Sequence, residues 1–176
     1  LVTLRISGFG QTGPYAKLPG FGTLVEAMSG YAARTGFADR EPVLPPLALA
    51  DMIAGITGAN AVMMALYARE RGEAQGQVID LSLLEPIFAV LGPEAAIYKT
   101  TGKIKERSGS ASNTVSPRNV YRCNDGRFVA LSGSTLTVAL RIFEVIGKPE
   151  MKADPRFATN VERVKHRDLV DTAVAQ

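Results

Sequence analysis

The stretch from Asp51 to Arg71 constrains this chain most. It has no proline, and Met52, Ile53, Ile56, Met63 and Leu66 give it apolar surface at helical spacing, so it reads as a long helix. Small residues recur one turn apart along it: Ala54 with Gly58, Gly55 with Ala59, Ala61 with Ala65. Each interior glycine costs a helix about 1 kcal/mol relative to alanine, so close packing has to offset Gly55 and Gly58. Arg69 and Arg71 suit the negative end of the helix dipole, and Gly72 suits its stop. Such a helix needs a neighbouring surface that comes very near it.

Leu1 to Ser7 is rich in β-branched residues and ends at Gly8, and Gln77 to Leu83 alternates, so both read as strands. Between the first strand and the long helix lie five glycines and two prolines within Gly8 to Gly22, a short helix Thr23 to Ser29 closed by Gly30, and an irregular stretch Gly36 to Pro46. Leu84 to Tyr98 reads as a helix bent near Gly92-Pro93. Val120 to Arg122 and Arg127 to Leu131 flank Asn124-Asp125-Gly126, a hairpin signal. Thr135 to Ile146 and Asn160 to Ala175 have helical amphipathicity. The fold class is α/β with a C-terminal α+β portion: residues 1–100 in a large α/β domain, 101–119 a linker loop, and 120–176 a small α+β domain. The chain begins inside a strand and stops inside a helical pattern, which reads as a fragment of a longer protein.

Charge and composition narrow the partners. Twenty basic against seventeen acidic residues leave a net charge of only +3, which is no nucleic-acid signature. No apolar run is expected to span a membrane. The single cysteine, Cys123, cannot form an intramolecular disulfide, and no metal-ligand spacing occurs, so a reducing, cytoplasmic setting is expected. His166, the only histidine, lies in the basic run Arg163 to Arg167, which leaves a Ser/His/Asp arrangement without support. Lys99, Lys103, Lys105 and Arg107 form a loose basic cluster, read as a solvated loop or as phosphate contacts.

The chemistry centres on Asp51, the one carboxylate at the end of the uncharged approach Pro45-Pro46-Leu47-Ala48-Leu49-Ala50. Aspartate is a preferred helix cap, worth about 1 kcal/mol, so a capping role is one reading. A carboxylate can also act as a covalent nucleophile toward an acyl group, and the positive helix end would keep it ionised. The two readings are compatible. Gly8-Phe9-Gly10-Gln11-Thr12-Gly13 matches the spacing of a dinucleotide fingerprint, but Pro14 and Pro19-Gly20 prevent the helix that must follow. A glycine loop beside a ligand, or a tight turn, fits better.

Several blocks in order resemble the family III CoA-transferases, also called the CaiB/BaiF family. They are Ile6 to Tyr15, Pro19-Gly20-Phe21, Glu26 to Gly30, Thr35-Gly36, Ala50 to Gly55, Gly76 to Glu85, Ser116 to Tyr121, Asp125 to Val129, and Asp154 to Phe157 with Arg163. The resemblance covers nearly the whole chain and implies a partial CoA-transferase fold: part of a Rossmann-like large domain plus the small domain. Members are much longer, and their N-terminal part would hold most contacts to CoA. It implies Asp51 as the catalytic aspartate, a coenzyme A thioester as substrate with no bound cofactor, and an organic acid as the second substrate. It also implies an interlocked homodimer for the full-length protein. Gly8, Gly10, Gln11, Phe21 and Gly22 fall where substrate and CoA contacts are expected, with the glycine backbone near the thioester and Gln11 orienting a carbonyl.

Two positions depart from the family pattern. Many relatives carry an acidic residue where Gly22 stands, and Glu26, about one turn on, is assigned no role. Racemases of 2-methylacyl-CoA that share this fold have histidine where Phe21 stands, and phenylalanine cannot move a proton. Racemase-type α-proton chemistry and a purely structural or dimer-forming fragment remain the alternatives.

Overall fold

The computed structural model describes all 176 residues, Leu1–Gln176. They form two units, Leu1–Arg107 and Ser108–Gln176, so the expected linker at 101–119 is shared between them.

In the first unit, β1 (Val2–Ser7) and β2 (Gln77–Ser82) form a parallel two-stranded sheet in the register Val2↔Gln77 to Ser7↔Ser82. Parallel strands need a long crossover, and α3 (Leu49–Glu70) is its helical part. Preceding it are α1 (Gly22–Met28) and α2 (Tyr31–Arg34), separated by Gly30 in the left-handed conformation at φ 91°. After β2, Ser82 Oγ accepts from the Glu85 N–H at 3.0 Å and donates to Glu85 Oε2 at 2.7 Å, so the two residues start α4 (Leu84–Val90). The expected bend near Gly92-Pro93 is a full break, and α5 (Glu94–Thr101) follows as a separate helix. Val25, Ala50, Ala54, Leu81, Leu83 and Ile87 make the core, with Leu4, Phe9 and Ile53 packed against it.

The small residues of α3 act unequally. Gly58 is buried, and a Cβ there would lie 2.7 Å from Leu4 Cδ2 and 3.2 Å from Leu81 Cδ2, so its side of the helix lies on the sheet side chains. Gly55 faces open space. Met52, Ile56 and Met63, expected to supply packing surface, are 57–66% exposed. By length and composition alone α3 is long and apolar enough to cross a membrane, with a mean hydropathy of 1.5, where no apolar run of such length was expected. Its buried Ala50, Ala54, Gly58 and Ala65 make it the core helix of this unit.

In the second unit β3 (Arg118–Arg122) and β4 (Phe128–Ser132) pair as the expected hairpin, with Gly126 at φ 81° in the turn. The helices are α6 (Leu136–Val145), α7 (Asn160–Lys165) and α8 (Arg167–Val174), the last two divided at His166 where one helix was expected. Phe143, Met151, Phe157 and Val170 form their core. Arg163 is buried to 1% exposure and donates from Nε to Ser116 O at 2.7 Å and from Nη1 to Phe157 O at 3.1 Å.

Candidate active site

The helix carrying Asp51 starts earlier than its sequence indicates, at Leu49, with Ala48 as the N-cap. Asp51 is therefore the third helical residue and not the cap. Its exposed side chain accepts no hydrogen bond. Three amides at the helix start find acceptors other than Asp51. Leu49 N–H donates to Leu47 O at 2.8 Å, Met52 N–H to Ala48 O at 3.0 Å, and Ala50 N–H to Glu26 Oε1 at 3.1 Å. Glu26 reaches that amide from α1 and is only 3% exposed. The capping reading of Asp51 thus falls, because a carboxylate from another helix holds the position. Asp51 keeps the favourable field of the helix start, where negative charge is stabilised.

Gly22 opens α1 directly beneath this carboxylate. A Cβ built on Gly22 would collide with Asp51 Oδ2, with Asp51 Cγ at 3.5 Å and Ala50 Cβ at 3.9 Å next in line. Glycine is needed here for space, since its φ is not in the left-handed region. Phe21, the N-cap of α1, is 68% exposed immediately before it. Phe21, Gly22 and Asp51 are thus brought to one place, an open carboxylate over a bare backbone beside an aromatic ring.

The glycine loop is built by backbone proximity. A Cβ on Gly20 would stand 2.6 Å from Gly8 Cα, so only two glycines let these segments cross. That crossing leads through Gly20-Phe21 to Gly22. Gly10 and Gly13 adopt φ of 83° and 90°. No helix begins until Gly22, which removes the dinucleotide reading. Gln11 turns toward the sheet: its N–H donates to Asp80 Oδ2 at 2.8 Å and its Nε2 to Ser7 Oγ at 3.3 Å. Its hydrogen bonds run to these two residues and not to Asp51.

Sequence reading passed over Glu26 and Asp80. Asp80 had a signal, being the one charge inside Val78-Ile79-Asp80-Leu81. Glu26 had none, because its partner lies 24 positions away.

Two of the four basic residues in the cluster, Lys105 and Arg107, are engaged inside the first unit. Arg107 donates to the carbonyls of Phe37 (3.0 Å), Arg40 (2.6 Å), Ala33 and Ala38. Arg34 answers with bonds to Lys105 O and Glu106 O, and Lys105 Nζ pairs with Glu94 Oε1 at 2.8 Å. These reciprocal bonds fasten the segment before Ser108 to the loop after α2. A cavity of about 740 Å³ lined by Ala33, Asp39, Ile104 and Arg107 lies at this fastening and includes neither Asp51 nor the glycine loop. His166 Nδ1 lies 2.9 Å from Glu162 O, and Cys123 is exposed as a free thiol. No three His, Cys, Asp or Glu side chains are grouped to hold a metal ion.

Comparison with known proteins places this arrangement. The chain is 38% identical to the succinyl-CoA–D-citramalate CoA-transferase of Chloroflexus aurantiacus over 99% of its own length and 43% of the relative's. It is 37% identical to the succinyl-CoA–L-malate CoA-transferase alpha subunit of the same species over 97% of this chain and 40% of that one. A crystal structure of a CaiB/BaiF family protein from Brucella suis superimposes with a TM-score of 0.77 at 32% identity, covering 99% of this chain and 46% of that one. The chain spans about two fifths of the length of the curated relatives it matches. The model of CoA-transferase family III matches residues 1–176, end to end, and the chain belongs to that family.

Proposed function

We propose that the protein to which this chain belongs moves CoA from an acyl-CoA to a free carboxylate, with Asp51 as the nucleophile. The observation that carries this reading is an exposed Asp51 carboxylate, free of hydrogen bonds, in the first turn of α3 over Gly22. A carboxylate without donors keeps its lone pairs for attack.

In the first step an Asp51 oxygen attacks the thioester carbonyl carbon, the C–S bond breaks, and CoA leaves as thiolate. The product is a mixed anhydride. The thiolate then attacks the Asp51 carbonyl carbon and expels the donor acid as carboxylate, leaving an aspartyl-CoA thioester. The acceptor carboxylate attacks that thioester and displaces thiolate again. Finally the thiolate attacks the acceptor's acyl carbon, giving the new acyl-CoA and free Asp51. Every leaving group departs as an anion that returns as a nucleophile or as product, so no proton needs to move. Racemase-type chemistry needs an ionisable partner at the α-carbon, and Phe21 and Gly22 supply none.

In this reading Gly8, Gly10 and Gly22 allow the thioester to approach the backbone, and Phe21 offers apolar surface to the acyl or pantetheine chain. Gln11 orients the substrate from its place on Asp80. The names of the relatives direct the first assays to succinyl-CoA with citramalate or malate. Asp51→Ala in the full-length protein should lower CoA exchange between an acyl-CoA and a free acid by at least about a thousandfold. Undiminished exchange would remove Asp51 from the mechanism.

A further inference from the structure

We infer that Glu26 is a positioning residue for Asp51, a cap supplied from α1 that leaves the neighbouring carboxylate unbonded. The inference rests on the proposed nucleophilic role of Asp51. A carboxylate is costly to bury unless it is paired or hydrogen-bonded. Glu26 is 3% exposed beside the fully buried Val25, and the bond shown for it is the one from Ala50 N–H at 3.1 Å.

That amide is one of the orphan donors at a helix start, and Ala48 at the N-cap has no side-chain acceptor for it. Negative charge at this end is stabilised by the helix field, which gives the buried Glu26 a second reason to stay. Asp51 follows directly, at the third helical position, and accepts no hydrogen bond, while Glu26 holds the amide just before it and ties the start of α3 to α1.

Without Glu26 the Ala50 amide would lose its acceptor, and the tie from α1 to the helix start that carries Asp51 would be gone. The Asp51 carboxylate would then leave its place over Gly22. Two carboxylates therefore divide the work at one helix start. Glu26 caps and Asp51 stays reactive. The acting feature of Glu26 is its acceptor oxygen at the right reach. Glutamine should substitute for it, and neither leucine nor the shorter aspartate should.

The experiment uses the full-length protein with succinyl-CoA and a free acid. Glu26→Leu should lower kcat about 10- to 100-fold, the scale on which a misplaced reacting group acts, while KM for the thioester stays within about threefold. Glu26→Asp, which keeps the charge and shortens the reach, should fall with it and carries the test if the leucine variant does not fold. Glu26→Gln should restore kcat to within about threefold of the parent. Hydroxylamine trapping of acylated Asp51 should follow the same order. A full kcat in Glu26→Asp or Glu26→Leu overturns the inference, as does a glutamine variant as slow as the aspartate one. Asp51→Ala, assayed alongside, separates the two claims. If it retains turnover, the nucleophile reading fails; if it is inactive while the Glu26 variants run at full rate, only the role of Glu26 fails.

Discussion

At Gly22 a single added methyl group would reach the Asp51 carboxylate. A Cβ there collides with Asp51 Oδ2, so Asp51 must rotate or α1 must shift. Gly22 is the first residue of α1, so alanine there gains only part of the roughly 1 kcal/mol that separates the two residues in a helix interior. The expected result is a variant whose thermal unfolding stays close to that of the parent and whose CoA-exchange kcat falls about 100-fold. Loss of stability without loss of kcat would contradict the contact. Asp51 was legible as a candidate from its isolation among uncharged residues, but its place in the helix was not. Helix starts are set by which amides find acceptors, and here one acceptor is Glu26 on another element. The acidic residue missing at Gly22 was visible in sequence. That the space is occupied by Asp51 itself needed coordinates.

Among the elements, α3 shows where pattern reading holds and where it stops. Its small-residue repeat pointed to close approach of another backbone, and Gly58 instead meets the side chains of Leu4 and Leu81 on the two strands. The repeat could not tell which of its two glycines faced that neighbour. Gly55→Ala should stabilise the protein by up to about 1 kcal/mol, since nothing lies within 4 Å of its added Cβ. Gly58→Ala should destabilise by about 1–2 kcal/mol net, because overpacking against Leu4 exceeds the propensity gain. Urea unfolding of the pair checks this, and equal shifts of the same sign would show that α3 does not lie on the sheet this way. Met52, Ile56 and Met63 were legible as apolar surface but not as exposed, because hydrophobic spacing does not show which stripe of a helix is covered. The hairpin was legible because Asn124-Asp125-Gly126 is local chemistry. The break at His166 was not, because the apolar pattern of 160–175 runs across it.

For the whole molecule, each unit combines an apolar core with buried polar ties. The first has the apolar core between α1, α3, α4 and the sheet. The second has polar ties of its own, among them Arg163 to Ser116 O and Tyr121 Oη donating to Asp171 Oδ1 at 2.7 Å. Burial first, and then the Asp171 carboxylate, push the Tyr121 phenol above its ordinary range. The folded pKa is thus higher than the unfolded one, near 10. The tie's contribution is whole below that pH and is lost as pH rises through the folded value. Tyr121→Phe should therefore cost about 1 kcal/mol at pH 7 and make unfolding less sensitive to alkali. Parallel pH–stability curves for the two proteins above pH ~10 would contradict the assignment. None of these long-range ties shows in sequence spacing, because each joins residues more than 40 positions apart.

The account stands on Asp51 carrying covalent adducts during turnover. Full-length protein treated with acyl-CoA and hydroxylamine, digested and read by peptide mass spectrometry, should show a hydroxamate on Asp51. The adduct should appear only when acyl-CoA is present, as exchange activity is lost. Activity surviving this treatment with an unmodified Asp51, or a hydroxamate forming at another carboxylate in its place, would contradict it.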